Sequence, residues 1–439
     1  MRRTIFLLVF LLGFIVSAQH TISGTFSPAK DYSWLIAYRL KPGTQNYIVD
    51  TSIDKGEFVL KIPAKAKPGM YRLVYAVPQE EFYFDVIYTG KEDVVLTFTT
   101  EEGVSFTSSE ENKVFNAYFR DINAAERQLI NFYSNNKTDV SEFQEITKKY
   151  RYVQKSYKNK SKELVANEFI EANKPYIPSK YESIQGYVTH KKENYFNELN
   201  FSNPVLQASG FLTDKITNYV FTALPLAQMT QGETEKAMQD NLITIDTQLQ
   251  GVSDNYRFHL FYTIWTQASA SSFNRLSDFV YVSYLKDLAT KTDNQEIIDK
   301  IDIHNRLRMG AIAPDINWTK EGTHAKLSSL NGAEKYILVF WSSTCSHCLK
   351  ELPALHKTLE KNSEIKVIAV GLENDTLSWE KEAAKLPGFE HAIALGKWES
   401  EYAKLYDIHA TPSYFILDSD KHIIAKPEND KEVVEFLKK

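Results

Sequence analysis

Tyr336-Ile337-Leu338-Val339-Phe340-Trp341-Ser342-Ser343-Thr344-Cys345-Ser346-His347-Cys348 decides the fold of the chain's last third. Six consecutive apolar residues read as a strand buried on both faces, and apolar positions at helical spacing follow the cysteines. Further strands are expected at 366–371, 392–395, 413–417 and 422–425, with helical patterns between several of them. Strands alternating with helices predict an α/β layer fold. Upstream, Met309-Gly310-Ala311-Ile312-Ala313-Pro314-Asp315 punctuates a boundary, and a hairpin is expected through Trp318 and Leu327.

The chemistry sits where strand turns into helix. The 439 residues contain 2 cysteines, both in this cluster. A bridge between them would close a loop too short to restrict the unfolded chain much, so a structural staple is a poor account of the pair. A helix N-terminus offers unpaired N–H groups and partial positive charge, which favour thiolate at its first cysteine. Cys345 is therefore the expected nucleophile. Cys348, one turn on and more buried, is the expected resolving thiol. An imidazolium at His347 would lower the Cys345 pKa further and make the disulfide more oxidising; an exposed helix residue without that role is the alternative.

Working outward, 43% hydrophobic and 24% charged residues with 17 Gly and 14 Pro describe a folded chain long enough for several domains. The basic start Arg2-Arg3, the apolar run 5–16 and the small residues Ser17 and Ala18 read as a signal peptide, 1–18, cut before Gln19. The run is too short for a membrane anchor. Removing the leader takes the formal charge from −5 to −7, and no basic footprint for nucleic acid remains.

Residues 19–107 alternate β-branched and aromatic runs with turns, at 32–40, 45–50, 57–62, 70–77, 81–88 and 93–99, and predict an all-β sandwich. The aromatics Phe82, Tyr83, Phe84 and Tyr88 are a binding platform or, more simply, core packing. Ser108-Ser109-Glu110-Glu111 then signals a helix start, and helical patterning continues to about Lys300, broken at Pro175, Pro178 and Pro204. The Lys/Tyr-rich stretch 148–160 reads as a solvated helix face. The expected architecture is multidomain: an N-terminal all-β sandwich (19–107), a central all-α segment (108–300) and a C-terminal α/β domain (301–439).

The last segment resembles thioredoxin-fold proteins, and more closely the TlpA/ResA-like thiol–disulfide oxidoreductases of bacterial envelopes. The matching residues are Ala313-Pro314-Asp315, Leu327-Ser328-Ser329-Leu330, the run Phe340 to Cys348, Glu351-Leu352-Pro353 and Thr411-Pro412-Ser413-Tyr414-Phe415-Ile416-Leu417-Asp418. The resemblance implies a thioredoxin-like fold and a cis-proline at Pro412 opposite Cys345. It also implies that Thr411 presents its backbone to an extended substrate peptide and that Trp341 shapes the surface near the pair. The buried Asp of thioredoxin is replaced here by Val339, and Glu373 falls near the Glu that ResA-like proteins use as a base, displaced by one residue. An exposed loop glutamate is the alternative for Glu373.

The resemblance also implies protein disulfides as substrates, a membrane thiol donor that recharges the pair, and the periplasm of a Gram-negative bacterium as the compartment. No cofactor is expected beyond the redox-active pair, and the oligomeric state stays open. A peroxiredoxin is excluded, since Ser342 and Leu338 occupy the places of its required Pro and Thr. Three alternatives remain: an oxidant or isomerase, a copper carrier using Cys345, Cys348 and His347 or His409, and a non-catalytic binding scaffold.

Overall fold

The computed structural model describes residues 20–320, 322–360 and 362–438. The expected leader, 1–18, lies outside them. The chain divides into two compact units, Met1–Thr292 and Asp293–Lys439.

Eight strands open the first unit: β1 (Thr21–Ser27), β2 (Trp34–Lys41), β3 (Thr44–Ser52), β4 (Glu57–Lys61), β5 (Gly69–Val74), β6 (Tyr83–Tyr88), β7 (Val94–Thr99) and β8 (Gly103–Phe106). They form two four-stranded sheets, in the orders β4-β1-β7-β8 and β3-β2-β5-β6. Alternation drives the layering: in β4, Phe58 and Leu60 are buried while Glu57, Val59 and Lys61 face out. Both sheets contribute to one core that includes Phe26, Phe58, Tyr71, Phe84, Leu96 and Phe98. Phe84 and Tyr88 belong to that core, whereas the Arg72 guanidinium lies 3.6 Å above the Tyr83 ring. Strands β1 and β8 fall outside the expected runs. The β1 sequence is largely polar, and it pairs in parallel with β7 so closely at Gly24 that a Cβ would stand 2.0 Å from the Leu96 oxygen.

Helices follow: α1 (Glu110–Ser134), α2 (Val140–Lys160), α3 (Ala166–Ala172), α4 (Ile184–Glu193), α5 (Pro204–Gln207), α6 (Gly210–Thr222), α7 (Gln231–Gln248), α8 (Asp254–Ala270), α9 (Asn274–Val280) and α10 (Lys286–Thr292), the last two joined by a π-helical turn. Ser109 caps α1 by accepting from the Asn112 N–H. Val114, Tyr118, Ile122, Ala125 and Leu129 form its buried stripe. The buried Asn112 amide accepts from the Ile87 N–H and donates to the Ile87 carbonyl, both at 2.8 Å, which ties α1 to the sheet-edge strand β6. Glu111 accepts from the Val165 and Ala166 N–H groups at 3.0 and 2.9 Å and so caps the start of α3. In α2 the lysines of the polar stretch are exposed while Tyr150 and Tyr157 are buried.

The second unit opens with α11 (Gln295–Leu307), so helical structure runs past the boundary expected at 300. A hairpin, β9 (Asn317–Lys320) and β10 (Thr323–Lys326), precedes β11 (Lys335–Trp341), α12 (Ser346–Leu359), β12 (Ile365–Glu373), α13 (Leu377–Ala383), β13 (Glu390–Leu395), α14 (Glu401–Leu405), β14 (Ser413–Leu417), β15 (Ile423–Ala425) and α15 (Asp430–Leu437). The main sheet has the order β13-β12-β11-β14-β15. Strands β11, β12 and β13 are parallel, and β14 and β15 complete the sheet antiparallel. Because successive side chains of β11 point to opposite faces, Tyr336, Leu338 and Phe340 enter one core, and Ile337, Val339 and Trp341 enter the other. Both faces are covered, which is why this central strand is apolar from Tyr336 to Trp341.

Candidate active site

Strand β11 ends at the centre of the sheet, and the turn after it delivers Cys345 as the N-cap of α12. The Cys345 sulfur accepts a hydrogen bond from the Cys348 N–H at 3.2 Å. As a thiol it donates to the Thr411 carbonyl at 3.4 Å. Burial alone would raise the Cys345 pKa, but hydrogen bonds from the Cys348 thiol and N–H, the Thr411 side chain and the His347 N–H outweigh it and hold the group below the ordinary thiol value. Cys345 is partly exposed and Cys348 is buried, and both are free thiols. Burial pushes the Cys348 thiol up to about 12, reinforced by Cys345 beside it. One sulfur is thus primed to attack while the other keeps its proton.

Thr411 and Pro412 lie just before β14, joined by a cis peptide bond, and both are half-buried. The Thr411 carbonyl faces the Cys345 sulfur although the two residues are far apart in the chain. The next strand adds a contact that carries no expected role. The Tyr414 hydroxyl donates to Glu351 at 3.0 Å, and Glu351 also accepts from the Asp430 N–H at 3.3 Å. Tyr414 shares the Cys348 core, and burial first, then Glu351, raises its pKa. Glu351 follows Cys348 by three residues, so helical spacing places the pair on one face of α12. That spacing was the available signal.

The structure corrects the part expected of Trp341. It is 1% exposed and packs with Cys348, Leu352 and Tyr414, because the alternation of β11 sends it into the core under α12. It packs in the core that holds Cys348 and offers no surface to a peptide. Leu349, one turn after Cys345, is the apolar side chain that is exposed there, at 41%.

Glu373 is the last residue of β12 and is 3% exposed, so the exposed-loop alternative does not describe it. Its carboxylate accepts from the Ser343 N–H in the turn that leads to Cys345. Burial is the largest influence on both thiols, followed by one another, the local backbone and Thr411; Glu373 is not among these leading causes. The His347 side chain is exposed, and its backbone N–H, not its ring, is what bears on Cys345. His409 lies outside this cluster and pairs with Asp407 at 2.9 Å. Among the described residues no group of three His, Cys, Asp or Glu side chains is placed to hold a metal ion.

Residues 308–435 match the Redoxin family. No curated protein matches the chain significantly. Among solved structures, a domain of a "possible thiol-disulfide isomerase" from Cytophaga hutchinsonii is 33% identical, over 30% of this chain and 91% of its own, with a TM-score of 0.27. The thioredoxin domain of a thiol-disulfide oxidoreductase from Bacteroides vulgatus is 24% identical, over 30% of this chain and 98% of its own, with a TM-score of 0.27. A thioredoxin-like protein from Bacteroides caccae is 16% identical, over 60% of this chain and 96% of its own, with a TM-score of 0.30. The C-terminal unit of this chain is thus a Redoxin domain, built on the thioredoxin-like fold of thiol–disulfide oxidoreductases.

Proposed function

We propose that this chain is an exported thiol–disulfide oxidoreductase that reduces protein disulfides in the cell envelope. One observation carries the reading: a partly exposed Cys345 with a lowered pKa at the start of α12, one turn from a buried Cys348 that holds its proton. In the first step the Cys345 thiolate attacks a substrate disulfide; a mixed disulfide forms and one substrate sulfur leaves as thiolate. In the second, the Cys348 sulfur attacks Cys345, the mixed disulfide breaks, and the Cys348 proton ends on the released substrate thiol. The substrate is reduced by two electrons and the pair becomes a Cys345–Cys348 disulfide. A membrane thiol donor then returns the two electrons, and the pair needs no further cofactor.

Thr411 and Pro412 border the attacking sulfur, and their main chain is the surface along which an extended peptide would lie. The leader 1–18 supports export. Among the described residues no helix is long and apolar enough to cross a membrane.

The reduction potential of the pair tests the direction. A midpoint at or below about −250 mV is expected, while one near about −120 mV would make the protein an oxidant. Cys348→Ser should accumulate mixed disulfides with envelope proteins, and Cys345→Ser should form none. Absence of any trapped partner would defeat the enzymatic reading.

A further inference from the structure

A cavity of about 90 Å3 lies in the helical part of the first unit, walled by α1, α2, α4, α6 and the loop after α3. Its charges do not cancel. Lys191 pairs with Glu126 at 2.5 Å, and Lys174 pairs with Glu198 at 2.7 Å. Lys215 has no carboxylate partner among the described residues; its ammonium lies 4.7 Å from the centroid of the Tyr195 ring. Burial lowers its pKa to about 8, with Glu126 raising it and Lys191 lowering it. Tyr150, from α2, also lines the cavity. It is 1% exposed, and its hydroxyl has no hydrogen-bond partner among the described residues.

One cation without a carboxylate partner and one hydroxyl without a hydrogen-bond partner therefore face a space large enough to be filled. Tyr150 is buried and Lys215 half-buried, so each gains from a partner in that space. Water can reach both the Tyr150 hydroxyl and the half-buried Lys215, but an anion also supplies the opposite charge that no carboxylate gives Lys215.

We propose that this cavity binds a small carboxylate, held between the Lys215 ammonium and the Tyr150 hydroxyl. One negative charge matches the one uncompensated cation. A dianion would leave excess charge facing Glu126. At roughly 10–15 Å3 of such space per water-sized group, the volume holds about six to nine such groups, room for an acetate-sized head and a few atoms more. Asn123 and Lys174 are exposed on the cavity lining and mark its mouth, so the carboxylate belongs either to a free small acid or to the end of a peptide.

The site stands apart from the cysteine pair and is tested without it. Acetate is titrated calorimetrically into the whole chain at pH 8, in two buffers of different ionisation enthalpy. Saturable binding at one site with proton uptake is expected, because the bound anion raises the Lys215 pKa. Lys215→Met should abolish it. Tyr150→Phe, which keeps the ring in its core, should weaken binding about tenfold and guards against a Lys215 variant that fails to fold. No saturable binding, binding unchanged in both variants, or tighter binding of phosphate than of acetate would overturn the proposal. N-acetyl-dialanine compared with its C-terminal amide separates the sources: binding of the acid alone assigns a peptide end, and binding of acetate alone assigns a free small acid.

Discussion

Cys345 owes its acidity to donors that surround its sulfur: the Cys348 thiol and N–H, the Thr411 side chain and the His347 N–H overcome the opposing effect of burial. In the reduced protein the pH profile of alkylation by iodoacetamide should therefore have its midpoint below the ordinary thiol value of 9.0, while Cys348 should stay unmodified until pH approaches about 12. The same shifts enter stability with opposite signs. The lowered Cys345 pKa stabilises the fold above its unfolded value, and this is lost as pH falls through the folded value. The raised Cys348 pKa contributes fully below its unfolded value and is lost as pH rises from about 9 to about 12. Urea midpoints of the reduced protein should fall across that alkaline window, and Cys348→Ala should flatten the fall.

Glu373 is separable from this pair. If it only anchors the turn, Glu373→Ala orphans the Ser343 N–H and costs about 1–3 kcal/mol. It should leave the Cys345 alkylation midpoint in place. Release of substrate from the mixed disulfide, followed in a single turnover, should also be unchanged, whereas loss of a true base would slow it.

Between elements, a buried polar joint of the first unit is Asn112, which satisfies both backbone groups of Ile87 and so docks α1 on β6. Asn112→Ala removes both partners at once and should destabilise this unit by about 2–4 kcal/mol, read by urea unfolding with tryptophan fluorescence. Much of this layout is legible in the sequence where one local pattern dominates. The apolar run of β11, the cysteines at the helix start and the cap at Ser109 each announce their element. Strand β1 escapes because its Gly24 and polar residues fit a backbone approach to β7 that no local period encodes. Trp341 could have been placed by counting alternation along β11, since it shares the parity of Ile337 and Val339. Glu373 needed the end of β12 to be known within one residue. Lys215 and Tyr150 meet across separate helices, α6 and α2, and their conjunction has no signature in either segment.

For the chain as a whole, two compact units with their own cores imply that the thiol chemistry is self-contained. The excised fragment 293–439 should fold, show a cooperative thermal transition and keep the midpoint potential of the full chain. A shifted potential would mean that the first unit tunes the pair. Loss of activity on native envelope substrates, with reduction of a small disulfide preserved, would assign recognition to the sandwich and helices.

The way the nucleophile is held has a practical corollary. Its sulfur is held by the Cys348 thiol and N–H, the Thr411 side chain and the His347 N–H, while Ser346 and His347 expose their side chains. A charge can be placed at those two positions, beside the sulfur, without removing any of its donors. A library randomised there, with proline kept out of the second place so that its N–H survives, would yield redox reagents of graded strength from a single scaffold.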